Sequence, residues 1–126
     1  MKGQALINLI FFAVIASTVT TAAVIMVYIN SQSGAKFQEG TIAYQIADSG
    51  AENALLRILR DPSYISEEDL PVGNGTVDIL KSGAGIVADP YIITSTATKG
   101  KFVKRVQITA TYENNILSII SKKEVY

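Results

Sequence analysis

The chain has 126 residues, 11 basic side chains balanced by 11 acidic ones, no cysteine and no histidine. Those absences remove zinc sites, thiol catalysis, disulfide frameworks and Ser–His or Cys–His triads, and the balance leaves no global basic field for nucleic acid. Basic residues gather late, at Lys99, Lys101, Lys104, Arg105, Lys122 and Lys123, and acidic ones earlier, at Asp61, Glu67, Glu68 and Asp69; solvated charge on opposite parts of one domain is the first reading of this split, head-to-tail complementarity between subunits the second.

Ala5 to Ile29 is apolar or small with no charge. About 25 helical residues at about 1.5 Å each reach about 37 Å, enough to cross a hydrocarbon core with some tilt. A secretory signal peptide would need cleavage at Ala22 or Ala23, leaving the sticky run Val24 to Ile29 at the new terminus, so a retained span is expected. Lys2 favours an inside N-terminus, although Lys36 flanks the other end. The hydroxyls of Ser17, Thr18, Thr20 and Thr21 have two readings: bonding back to carbonyls one turn earlier, or serving a packing face. Ala13, Ser17 and Thr21 recur every four residues, the spacing that lets helices approach closely. Asn8 is an amide at membrane depth that wants a partner.

Ser31-Gln32-Ser33-Gly34 is a soft point, but a lone glycine costs only about 1 kcal/mol and no proline follows before Pro62. An amphipathic helix is therefore expected over 37–60. Its stripe is Phe37, Gly40, Tyr44, Ala47, Ala51, Ala54 and Ile58, widened by Leu55 and Leu59, with Glu39, Gln45, Asp48, Glu52 and Arg57 off it. Asp61-Pro62 ends the helix. Residues 63–72 read as a polar connection. Asn74-Gly75 marks a turn into a strand over 76–80, which Gly83-Ala84-Gly85 ends. Residues 90–98, 102–112 and 116–125 read as further strands, separated by Lys99-Gly100-Lys101 and Glu113-Asn114-Asn115. The expectation is an α+β fold, a long helix carrying an antiparallel sheet of about four strands within 75–126.

Chemical motifs are few. Asn74-Gly75-Thr76 fits a glycosylation sequon but is explained by turn geometry; Glu67-Glu68-Asp69 with Asp61 lacks the interleaved spacing of a calcium loop; the glycines lack phosphate-loop context. No catalytic pair stands out, and no enzyme, metal or cofactor is expected.

This layout resembles the type IV pilin and type II secretion pseudopilin family: a short basic leader ending in glycine, a long helix whose first half is the anchor, and an antiparallel sheet on its second half. Met1-Lys2-Gly3 looks like the leader (residues 1–3), residues 4–30 like the anchor and filament-core helix, and residues 31–126 like the globular domain. The run Ala47-Asp48-Ser49-Gly50-Ala51-Glu52-Asn53-Ala54 and the strands over 91–98 and 102–112 are similar to minor pilins. The resemblance implies leader cleavage between Gly3 and Gln4 by a prepilin peptidase and helix–helix packing through Asn8, Ala13, Ser17 and Thr21. It implies a single-pass start in the cytoplasmic membrane with the C-terminal domain outside, then an extracellular filament of pilin-like subunits, without direct nucleic-acid binding. Two positions depart from the family: Gln4 stands where an aromatic residue is usual, and Asn8 where a glutamate neutralises a neighbour's terminal amine. A neutral amide offers only a hydrogen bond in that setting, which fits a minor or tip-located subunit. The reading from another class is a membrane-anchored binding or sensor domain that never polymerises.

Overall fold

A computed structural model of the chain describes residues 2–126. Helix α1 runs unbroken over Lys2–Arg60, straight through the soft point at Gly34. Alanine and isoleucine are its commonest residues and no proline interrupts it, so propensity opposes the helix mainly at isolated glycines and at the β-branched run Thr18-Val19-Thr20-Thr21. Arg57 and Arg60 in the last turn complement the negative end of the helix dipole. The helix stops at Asp61, whose amide still donates to the Arg57 carbonyl at 2.7 Å. Ser63 then donates from both its backbone N and its hydroxyl to Asp61 Oδ1, at 3.0 and 2.6 Å. These bonds, the hydroxyl's first, hold the Asp61 carboxyl below its ordinary pKa.

The residues divide into two compact units, one up to Phe37 and the other over Gln38–Tyr126. In the first unit every described residue is exposed. In the second, α1 lies on a sheet of five antiparallel strands, β1 (Ser66–Val72), β2 (Gly75–Ser82), β3 (Tyr91–Lys99), β4 (Phe102–Glu113) and β5 (Ile116–Val125), in sequential order. The α+β layout matches the sequence expectation, but the strand count is five rather than about four. The segment expected as a polar connection contains β1, which pairs with β2 from Ser66↔Leu80 to Val72↔Gly75. An edge strand tolerates charge and proline because one side of its backbone has no partner to satisfy, and β1 carries both.

Three hairpins close on two residues each. Gly73 (φ 58) opens the turn after β1 and Gly100 (φ 58) the turn after β3, while Asn114 (φ 53) and Asn115 (φ 63) both adopt left-handed geometry after β4. Such turns follow the right-handed twist of the flanking strands, and glycine and asparagine reach them at little cost. The β1 turn thus sits one residue earlier than Asn74-Gly75 suggested, with Gly75 already paired in β2.

Alternation then sorts the strands. Val77, Ile79, Ile93, Ala97, Val106, Ile108 and Ala110 point to the helix and are buried, while Asp78, Leu80, Ile92, Arg105 and their neighbours face away. The helix face that meets them is rotated from the expected stripe toward Ala43, Ile46 and Gly50 and built of smaller residues: Ala43, Ile46, Ala47, Gly50, Ala51, Ala54, Leu55 and Ile58. Phe37 is 79% exposed and Leu59 45%, so neither belongs to the core. Gly50 replaces a side chain at the closest approach: a Cβ there would lie 2.5 Å from Val77 Cγ1 and 2.6 Å from Ser95 Oγ. The Ser95 hydroxyl is fully buried with no hydrogen-bond partner.

Candidate functional site

The chain offers two surfaces to partners, and each is built differently. The first is the apolar part of α1. It is long and apolar enough to cross a membrane, and none of the most apolar stretch is covered by the rest of the chain. Phe12 is 75% exposed, Val27 69% and Phe11 68%. Apolar exposure on this scale is far beyond the scattered residues of an ordinary soluble surface and calls for lipid or protein cover.

The hydroxyls within this segment are already satisfied. Ser17 Oγ donates to the Val14 carbonyl at 2.9 Å, Thr20 Oγ1 to Ala16 at 2.8 Å and Thr21 Oγ1 to Ser17 at 2.8 Å. Thr18 Oγ1 reaches both Val14 and Ile15, at 3.0 and 2.8 Å. Each hydroxyl therefore presents mainly its carbon side outward, and the helix loses little by leaving water. Ala13, Ser17 and Thr21 share one side of α1. Asn8 does not join them: nine residues at about 100° each put it opposite Ser17. Its amide makes no hydrogen bond among the described residues, so the two features are separate contact points. Gly3 and Gln4 lie exposed in the first turn of α1, with open space where a Gly3 Cβ would stand. Met1, the first residue of the leader-like segment, lies outside the described residues.

The second surface is the charged skin of the sheet unit. Four ion pairs tie the helix to the sheet. Arg57 pairs with Glu67 of β1, Glu39 with Lys99 at 2.7 Å, and Lys122 of β5 with Asp48 and, at 3.6 Å, Glu52. Lys104 pairs with Glu124 at 2.7 Å between β4 and β5. The hydrogen bond to Asp48 raises the Lys122 pKa above the usual lysine value, against a smaller opposing effect of burial, and that to Glu124 does the same for Lys104. Lys81 goes the other way. Burial lowers its pKa despite Asp61, as its ammonium sits 4.4 Å from the Tyr91 ring centre and donates to the Pro62 carbonyl at 2.7 Å. Burial also raises the Tyr64 pKa, with Glu67 adding to it.

On the face away from the helix, an open groove of about 470 Å³ has Glu68, Asp78, Thr94, Thr96 and Arg105 along it. A row runs across the sheet here: Asp78 pairs with Thr96, Thr96 with Arg105 and Arg105 with Val125. Glu68 and Asp69 occupy the bulge beside Asp78, whose Oδ1 accepts from the Asp69 amide at 2.9 Å. Sequence reasoning named most of these charges but not the row, because register across four strands is written in turn lengths and bulges rather than in any local pattern. No group of three or more acidic, histidine or cysteine side chains among the described residues is placed to hold a metal ion. The acidic run of β1 instead splits, with the Glu67 carboxylate on Arg57 and the Asp69 backbone amide, not its carboxylate, bonded to Asp78. No protein-family model matches the chain, and no curated protein or solved structure matches it either.

Proposed function

We propose that the chain is a pilin-like structural subunit, of the minor kind, in a filament of the type IV pilus or type II secretion pseudopilus class. The observation that carries this reading is one helix with two jobs: α1 is charge-free and uncovered over Ala5 to Ile29, and its later residues Ala43 to Ile58 form the spine of a sheet unit. Before assembly the apolar part anchors the subunit in the cytoplasmic membrane, with the sheet unit outside. On assembly the same surface exchanges lipid for neighbouring helices, with the face of Ala13, Ser17 and Thr21 permitting close approach. The internally bonded hydroxyls suit both settings, because neither lipid nor a packed helix has to satisfy them. Asn8 brings an amide rather than a carboxylate to the place where kin neutralise a terminal amine. Such a subunit docks weakly beneath another, which favours a tip or minor position over the repeating shaft.

Co-expression with a prepilin peptidase, followed by intact-mass measurement, tests the proposal. The expected product begins at Gln4. A chain still carrying Met1, or one cut near Ala23, would speak for a plain anchor or a signal peptide.

A further inference from the structure

We infer that copies of this chain dock edge to edge through their sheets, the acidic β1 edge of one copy against the basic β5 edge of the next. The strand order places β1 and β5 at opposite edges of a single sheet. Charge is sorted along the same axis. Strands β1 and β2 carry Glu67, Glu68, Asp69 and Asp78 against Lys81 alone; β4 and β5 carry Lys104, Arg105, Lys122 and Lys123 against Glu113 and Glu124. Several of these are consumed internally, namely Glu67 by Arg57, Lys122 by Asp48, and Lys104 by Glu124. Glu68 and Lys123 are exposed, have no ion-pair partner among the described residues, and lie on the two edge strands.

Register makes the match geometric as well as electrostatic. The row that starts at the Glu68–Asp69 bulge passes through Asp78, Thr96 and Arg105 and ends on Val125, two residues from Lys123 on the same side of β5. A neighbour in the same orientation, displaced along this row, therefore sets Val125 beside Glu68 and Asp69, with Lys123 level with Ser66, about 7 Å along the strand and within the reach of a lysine side chain. A two-fold neighbour would set acid on acid or base on base. Charge thus selects a heterologous contact, which does not close on itself and propagates.

Backbone pairing is not the glue. Pro71 has no N–H to give, and the bulge at Asp69 (φ 52) breaks the β1 edge, so a continuous ladder onto a neighbour is blocked. Side-chain pairs of this kind are weak in dilute solution and become effective between subunits already held close. The inference therefore rests on the filament reading, and deepens it by assigning the lateral contact between sheet units.

The absence of cysteine from the sequence makes the test clean. Full-length chains carrying Ser66→Cys or Ser121→Cys, exposed uncharged positions on the two edge strands that leave Glu68 and Lys123 in place, are co-expressed with the assembly machinery and treated in membranes with a short bismaleimide. Ser17→Cys serves as the reporter of helix packing. Within one molecule the two edges are four strand spacings apart, about 19 Å, so a short linker joins only different copies. The expected result is a dimer from the mixture of the two chains, a ladder from the chain carrying both changes, and none from either single chain. That yield falls severalfold as salt rises from about 0.1 M to about 1 M, where the screening length shrinks from about 10 Å to about 3 Å. A dimer from either single-cysteine chain would mean a two-fold contact and overturn the inference. A dimer from Ser17→Cys with no edge product overturns it too while leaving the filament reading intact. No product at either place removes both.

Discussion

The two stretches of α1 are made of similar residues and do opposite things with them. From Ala5 to Ile29 the side chains are uncovered, bulky leucine, isoleucine and phenylalanine among them; from Ala43 to Ile58 the covered ones are mostly alanine, glycine and isoleucine. Size explains the division. A helix that must lie close on a five-stranded sheet keeps small residues at the contact, and the sheet contributes the bulk through Val77, Ile79, Ile93, Val106 and Ile108. A helix that faces lipid or other helices has no such partner of its own and is covered from outside. The same helical backbone is therefore stabilised by its own chain at one end and by its surroundings at the other.

The contrast breaks most sharply under charge. Arginine at both Val14 and Val19 places two guanidinium groups near the middle of the apolar run and costs about 5–7 kcal/mol of insertion. Carbonate extraction of membranes should move the variant to the soluble fraction. Arginine at exposed Asn53 should leave the chain membrane-bound, and equal extraction of the two would argue against a span. In the sheet unit the large effect comes from emptying space instead. Ile58→Ala or Ile108→Ala, both at 0% exposure, should lower stability by about 2–5 kcal/mol, read as the thermal unfolding of the full chain in detergent.

Glycine sharpens the comparison. A methyl group at Gly50 meets Val77 and Ser95 inside contact distance, whereas at Gly34 nothing lies within 4 Å. Gly50→Ala should therefore destabilise by about 1–3 kcal/mol through overpacking, while Gly34→Ala should raise helix stability by up to about 1 kcal/mol. Equal effects at the two positions would mean that the helix does not press on the sheet at Gly50. Ser95→Ala removes a buried hydroxyl with no partner and eases the same contact, so a gain of about 1 kcal/mol is expected.

What was legible in the sequence follows the same line. The helix, its stop at Asp61 and the strand over 116–125 could be read because each rests on local chemistry: uninterrupted propensity, a proline, a pair of asparagines. The strand Ser66–Val72 was not, since its acidic run and Pro71 look like a loop and are tolerated only because it lies at a sheet edge. The helix contact was half legible. Ala47, Ala51, Ala54 and Ile58 stood out by spacing, but Gly50, the point of closest approach, was not on the expected stripe. For the apolar face, Ala13, Ser17 and Thr21 could be found by period, and the same helical period puts Asn8 opposite them.

The smallest expected effect concerns pH, and it belongs to the sheet unit alone. Lys122, Lys104 and Tyr64 all have folded-state pKa values raised above their ordinary ones, the lysines chiefly by hydrogen bonds to Asp48 and Glu124 and the tyrosine chiefly by burial. A raised folded pKa means that the folded chain holds its proton longer than the unfolded one. The stability gained is complete below the unfolded pKa values, near ~10 for tyrosine and ~10.4 for lysine, and is lost as pH climbs through the folded ones. Lys81 acts in the opposite sense, because burial lowers its pKa and the penalty on its charge fades as it deprotonates. Thermal unfolding in detergent should therefore show a shallow alkaline decline. Lys122→Gln should flatten that decline and leave the neutral region little changed, since the pair is partly exposed and contributes modestly there. If the parent and K122Q curves keep the same alkaline slope, the Lys122–Asp48 pair does not hold β5 to the helix in solution.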